Sequence, residues 1–195
     1  MHGTARWAGT IVGAVALLWT ATAAAQHQPA QGDNELSGHM GATVGITDST
    51  PGGFRFATEY GRKINQTLWF NAQINFSLGG DYGSCGPRAA PYPCNDHFNG
   101  ESMELIAGVK FKFPSGRFLP YAKVGGGLAF SFYGGDHGAT ALVVRGGGGL
   151  KYFVIPRLAV GGEIVLSIGP NFIRHGGGTE AYIGLDFLGG VEFVF

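Results

Sequence analysis

The chain has 195 residues, of which 36 are glycine, and it is 13% aromatic and only 13% charged. Thirteen basic residues balance thirteen acidic ones, so no basic excess points to nucleic acid and no acidic tail is present. A chain of this length holds one domain with a real core, and this composition suits neither a helical bundle nor a disordered segment.

Residues 1–25 read as a secretory signal peptide. His2 and Arg6 give a weakly cationic start, Ile11 to Trp19 form a short apolar stretch, and Ala23-Ala24-Ala25 offer a cleavage pattern that leaves Gln26 as the new N-terminus. The apolar stretch is too short for a membrane anchor. No cysteine follows the cleavage pattern, so a lipid anchor is not expected there. Residues 26–36 are polar, with one Pro and one Gly, and read as a flexible lead-in. No apolar run of about eighteen residues occurs further on, so no helix is expected to span a bilayer; strands that span one need only about nine to eleven residues and leave a weaker signal.

From residue 37 to the end, apolar and polar residues alternate with a period of two, the mark of strands with one apolar and one polar face. Eight segments show it. Ser37 to Thr47 sets Met40, Ala42, Val44 and Ile46 against His39, Gly41, Thr43, Gly45 and Thr47. Phe54 to Lys63 sets Phe54, Phe56, Thr58 and Tyr60 against Arg55, Ala57, Glu59, Gly61 and Lys63. The cleanest alternation is Leu68 to Leu78, where Phe70, Ala72, Ile74 and Phe76 oppose Trp69, Asn71, Gln73, Asn75 and Ser77. Met103 to Phe113 opposes Leu105, Val109 and Phe111 to Glu104, Ile106, Lys110 and Lys112. Phe118 to Tyr133, Thr140 to Val154, Leu158 to Ile168 and Thr179 to Phe195 continue the series. The connections are expected at 48–53, 79–100, 134–138 and 169–178 on one side and around Asn65, 114–117 and 155–157 on the other. They are longer after odd-numbered segments and shorter after even-numbered ones.

These features give an all-β fold, an eight-stranded antiparallel up-and-down transmembrane β-barrel over residues 37–195. The apolar faces carry almost no charge. The opposite faces collect Arg55, Lys63, Lys110, Lys112, Lys123, Arg145 and Lys151 together with Glu59, Glu104, Glu163, Glu180, Asp186 and Glu192. A soluble barrel turns its polar face to water; here the pattern fits lipid outside and charge inside. Charges on a lipid face cost about 2–4 kcal/mol each at the midplane, which accounts for their absence there. Seven positive against six negative groups predict mutual pairing and a plugged lumen, because eight strands enclose little more than their own side chains. Tyr60, Trp69, Phe113, Phe118, Tyr133, Tyr152 and Phe195 lie near segment ends, and those at outward positions suit interfacial girdles.

Three stretches carry a family resemblance: the signal peptide, the hairpin from Gly149 to Glu163 with its Tyr152-Phe153 strand end and Pro156-Arg157 turn, and the ending Val191-Glu192-Phe193-Val194-Phe195. With them the whole mature chain resembles the small bacterial outer-membrane β-barrel family that includes OmpA-like and OmpX-like proteins. The closing Phe193 and Phe195 resemble the signal read by the barrel assembly machinery. The resemblance implies a cell outer-membrane protein of a Gram-negative bacterium, in contact with outer-membrane lipid and lipopolysaccharide. It does not imply one activity, since such folds host structural, adhesive, porin-like and enzymatic members.

Candidate chemistry is sparse. Cys85 and Cys94 lie in the longest connection, and two cysteines in an exported chain most simply form one disulfide. A metal site using Cys85, Cys94, Asp96 and His97 has the right ligand types but neither a second cysteine pair nor paired histidines to support it. Gly125 to Gly127 and Gly146 to Gly149 are not followed by Lys-Ser or Lys-Thr, so no phosphate-binding loop is expected; in a narrow barrel, glycine makes room for large inward side chains. Of His39, His97, His137 and His175, none sits two residues before an outward Ser, as a lipid A deacylating site would require. No cofactor, metal or nucleic acid is expected, and the barrel is expected to be a monomer. The sequence thus favours a non-catalytic structural or surface-interaction role. A small channel or carrier for ions or apolar solutes comes next, and a lipid A-modifying enzyme after it.

Overall fold

A computed structural model describes residues 32–47, 50–79, 100–113, 115–132, 138–173 and 179–195. They form eight strands: β1 (Asn34–Gly45), β2 (Gly53–Lys63), β3 (Leu68–Leu78), β4 (Glu101–Lys112), β5 (Phe118–Phe132), β6 (Gly138–Ile155), β7 (Leu158–Ile173) and β8 (Thr179–Val194). Each pairs antiparallel with the next, and β8 pairs with β1, which closes the barrel. Closure leaves no unpaired strand edge, the condition for a sheet in hydrocarbon.

The register fixes the shape. Followed from Glu35 through Gly61, Asn71, Gly108, Gly125, Arg145, Ser167 and Gly184, the pairing returns to β1 at Gly45, ten positions further along. With about 3.3 Å per residue and about 4.8 Å between strands, that stagger tilts the strands by about 41° and gives a backbone cylinder about 8 Å in radius. Such an interior is filled by side chains.

The parity of the sequence decides the facing. Met40, Phe54, Phe76, Val144, Ile164 and Val191 are all exposed on the outer wall. The alternate positions are buried and largely polar. Two boundaries differ from expectation by more than two residues. Strand β1 begins at Asn34, so Asn34 to Leu36 of the expected 26–36 lead-in belong to the barrel. Strand β7 runs on to Ile173, leaving 174–178 as the connection rather than 169–178. Gly169 and Pro170 pair with Tyr182 and Ala181 of β8, but the ladder to β6 passes from Ile168 to Asn171 without them. A proline lacking its N–H is tolerated at such a gap.

The turns at the end holding Asn34 and Phe195 are built locally. The Asn65 side chain accepts the backbone N–H groups of Thr67 (3.0 Å) and Leu68 (2.8 Å), an Asx turn. Gly116 has φ +65°, a conformation open to glycine at little cost. The expected disulfide residues Cys85 and Cys94, the signal peptide, Tyr133, His97, His137 and His175 lie outside the described residues.

Candidate functional site: a charged lumen

Eleven of the thirteen charged residues on the inward-parity faces are buried in the lumen: Arg55, Glu59, Glu104, Lys110, Lys112, Lys123, Arg145, Lys151, Glu163, Asp186 and Glu192. They fall into two layers. In the layer nearer the loop end, Arg55 and Arg145 face Glu104 and Asp186. Arg55 pairs with Glu104 and stands 3.2 Å from Asp186; Arg145 lies 2.8 Å from Glu104 and 2.6 Å from Asp186. Tyr182 donates its hydroxyl to Glu104 at 2.7 Å, and the Asn75 amide donates to it at 3.0 Å.

The layer nearer the turn end uses lysine. Lys110 lies 2.7 Å from Glu35 and also pairs with Glu59, while Lys112 pairs with Glu35. Lys123 bridges Glu59 at 3.1 Å and Glu163 at 2.8 Å. Lys151 pairs with Glu192, which also accepts the Ser37 hydroxyl at 3.0 Å. Aromatic rings complete the layer. The Lys112 ammonium sits 3.5 Å from the Trp69 ring centroid, and Tyr121 donates to Glu163 at 2.6 Å. Trp69 thus belongs to the lumen, while Tyr60, Phe113, Phe118, Tyr152 and Phe195 are on the outer wall.

Two residues of the expected interior set lie elsewhere, and one was missed. Lys63 is at the rim, 3.5 Å from the exposed Asp33, and Glu180 is exposed at the loop end. Glu35, fully buried, lay hidden in the presumed lead-in, although its parity with Ser37 and His39 marks it as inward. Among the described residues the lumen therefore holds six cations against six carboxylates rather than seven against six.

Further groups pack at both ends. Leu119, Phe153, Ala159 and Val194 form an apolar cluster at the turn end. At the loop end, Thr50 is buried and accepts the Ile183 N–H at 2.8 Å, while Thr47 donates to the Ala181 carbonyl at 2.7 Å. This pins the β1–β2 connection onto β8. A cavity of about 10 Å³ beside His39, Tyr121, Lys151 and Glu192 has room for about one water. Among the described residues no cluster of three or more His, Cys, Asp or Glu side chains is arranged to hold a metal ion. Phe193 and Phe195 are exposed on the outer wall, their rings stacked 6.1 Å apart.

An apolar outer wall around a charged, self-paired interior defines a transmembrane β-barrel of the outer-membrane type. Solved structures agree on the fold. Neisserial surface protein A (NspA) superposes with a TM-score of 0.59 at 16% identity, covering 84% of this chain and 97% of that one. A major outer membrane protein from Thermus thermophilus gives 0.53 at 10% identity, over 85% of this chain and all of that one. Ail, the attachment invasion locus protein of Yersinia pestis, gives 0.50 at 14% identity with the same coverage. No family model matches the chain, and no curated protein matches it.

Proposed function

We propose that the protein is a monomeric, non-catalytic outer-membrane barrel of a Gram-negative bacterium, with a structural or surface-interaction role. It is exported through a signal peptide cleaved after Ala25, read by the barrel assembly machinery through Phe193 and Phe195, and surrounded by outer-membrane lipid and lipopolysaccharide. The observation that carries the non-conducting part is the lumen: two charge layers, each balanced within itself, above an apolar cluster of Leu119, Phe153, Ala159 and Val194. The attachment protein among the similar structures supports the surface role by analogy of fold. A disulfide between Cys85 and Cys94 would brace the longest connection, which a thiol count before and after reduction tests.

Single-channel recording of the refolded mature chain, 26–195, decides between this reading and a small channel. Folding is confirmed beforehand by the gel shift between unboiled and boiled samples. A folded, silent barrel is expected. Steady, reproducible openings would overturn the closed-lumen reading in favour of a channel.

A further inference from the structure

Among the described strand residues, only two charges occupy outward positions, Arg62 on β2 and Glu101 on β4. Phe70 is the cross-strand partner of Arg62 and Leu78 that of Glu101, eight positions apart on β3. At the tilt set by the register, each residue climbs about 2.5 Å and each sideways pairing adds about 3 Å, so the two charges stand about 26 Å apart along the axis. The apolar band of an outer-membrane barrel is about 25 Å tall. Arg62 and Glu101 therefore mark its two edges.

The turn-end edge carries exposed cations. Arg62 lies beside Phe70 and, along the same face, Tyr60, which are 41% and 39% exposed. Arg117 and Arg157 occupy the other two turns of this end and are exposed. Their positions are fixed through the backbone: the Phe153 N–H donates to the Arg117 carbonyl and the Val194 N–H to the Arg157 carbonyl, each at 2.9 Å. Arg117 adjoins Phe118, whose ring packs 5.1 Å from that of Tyr152. Lys63 has Asp33, but among the described residues none of the three arginines has a carboxylate partner. The exposed charges of the described loop-end residues are instead the acidic Glu101 and Glu180.

The geometry points to a collar at the turn end, formed by Arg62, Arg117 and Arg157, that binds the phosphates of anionic phospholipids in the periplasmic leaflet, the side on which outer-membrane barrels carry their short turns. A guanidinium within an aromatic girdle sits at headgroup depth, where its fork matches two phosphate oxygens. The described loop-end residues offer no matching cation, since Glu101 and Glu180 are acidic. This rests on the outer-membrane reading above and adds the chemistry of the lipid and the residues that hold it.

The test is native mass spectrometry of the refolded mature chain in micelles doped with phosphatidylglycerol or phosphatidylcholine, with inorganic phosphate as a third arm. Each cation near a membrane surface contributes about fivefold in affinity for anionic lipid. The parent should retain phosphatidylglycerol at least about tenfold more strongly than phosphatidylcholine, and millimolar phosphate should not displace it. Arg62→Gln alone should lose about fivefold, and the triple variant Arg62→Gln/Arg117→Gln/Arg157→Gln should lose the preference. Glu101→Gln, at the opposite edge, should keep it. A parent with no preference, a triple variant binding like the parent, displacement by free phosphate, or an equal loss in Glu101→Gln would overturn the collar. The gel shift is read on every sample: its absence in the parent would instead sink the barrel reading on which the collar depends.

Discussion

Glu104 offers the sharpest test of the charge-paired lumen. It is fully buried, pairs with both Arg55 and Arg145, and accepts from Tyr182 and Asn75. Glu104→Gln keeps the shape of the side chain but removes its charge, leaving two buried guanidinium groups to share Asp186. Taking one partner from a buried ion cluster costs about 3–5 kcal/mol, because the remaining charges stay desolvated. With a urea slope of about 2 kcal/mol per molar, the unfolding midpoint should fall by about 1.5–2.5 M. The assay is urea unfolding of the refolded chain in vesicles, followed by the folded band of an unboiled gel. The double variant Glu104→Gln/Arg145→Gln restores neutrality and should recover at least half of the loss. A Glu104→Gln midpoint within about 0.3 M of the parent would refute the reasoning, since it would place water around Arg55 and Arg145.

Three further changes probe other joints of the barrel. A Cβ on Gly61 would stand 2.5 Å from the Glu35 side chain, so Gly61→Val must push Glu35 off Lys110 and Lys112; a fall in stability of about 1–3 kcal/mol is expected, and an unchanged urea midpoint would show that Glu35 has room to move. Deleting Val191 to Phe195 removes the pairing of Val194 and Phe193 with Glu35 and Leu36 and the exchanged Asn34–Phe195 bonds of 3.0 and 2.9 Å, so no heat-modifiable band should form. Phe195→Ala keeps those backbone bonds: it should refold in vitro like the parent while its outer-membrane level in cells falls, and equal cellular levels would count against the closing aromatic as an assembly signal.

The faces of the strands were legible because a barrel wall is one residue thick. Parity alone sends Arg55 and Glu59 inward and Phe56 and Tyr60 outward, whatever the neighbours are. Depth is not written in parity. Lys63 and Glu180 share the inward parity of the lumen residues, yet they stand at the rims, which only the ten-residue stagger reveals. Strand ends were also obscured. Asn34 to Leu36 follow a polar stretch that reads as a lead-in, and Gly169-Pro170-Asn171 carries loop chemistry although β8 pairs with all three. Partner choice was out of reach too, because Glu104 on β4 gathers Arg55 from β2, Arg145 from β6 and Tyr182 from β8 across the lumen.

The two charge layers are separated along every strand that contributes to both. On β2 Ala57 lies between Arg55 and Glu59, and on β4 Ile106 and Gly108 lie between Glu104 and Lys110. Gly147 and Gly149 part Arg145 from Lys151 on β6, and Leu188 and Gly190 part Asp186 from Glu192 on β8. Among the described residues, every lumen ion pair joins groups within one layer: Arg with Glu104 or Asp186 above, Lys with Glu35, Glu59, Glu163 or Glu192 below. Each layer is neutral within itself, two against two and four against four, so neither needs the other to remain paired. An ion crossing the barrel would have to part both layers and then pass the apolar cluster at the turn end. Disrupting one layer should therefore destabilise the barrel without opening it. Glu104→Gln is expected to stay silent in planar bilayers despite its lower urea midpoint. Steady conductance from that single change would mean that the lysine layer is permeable, and that the arginine layer alone holds the lumen shut.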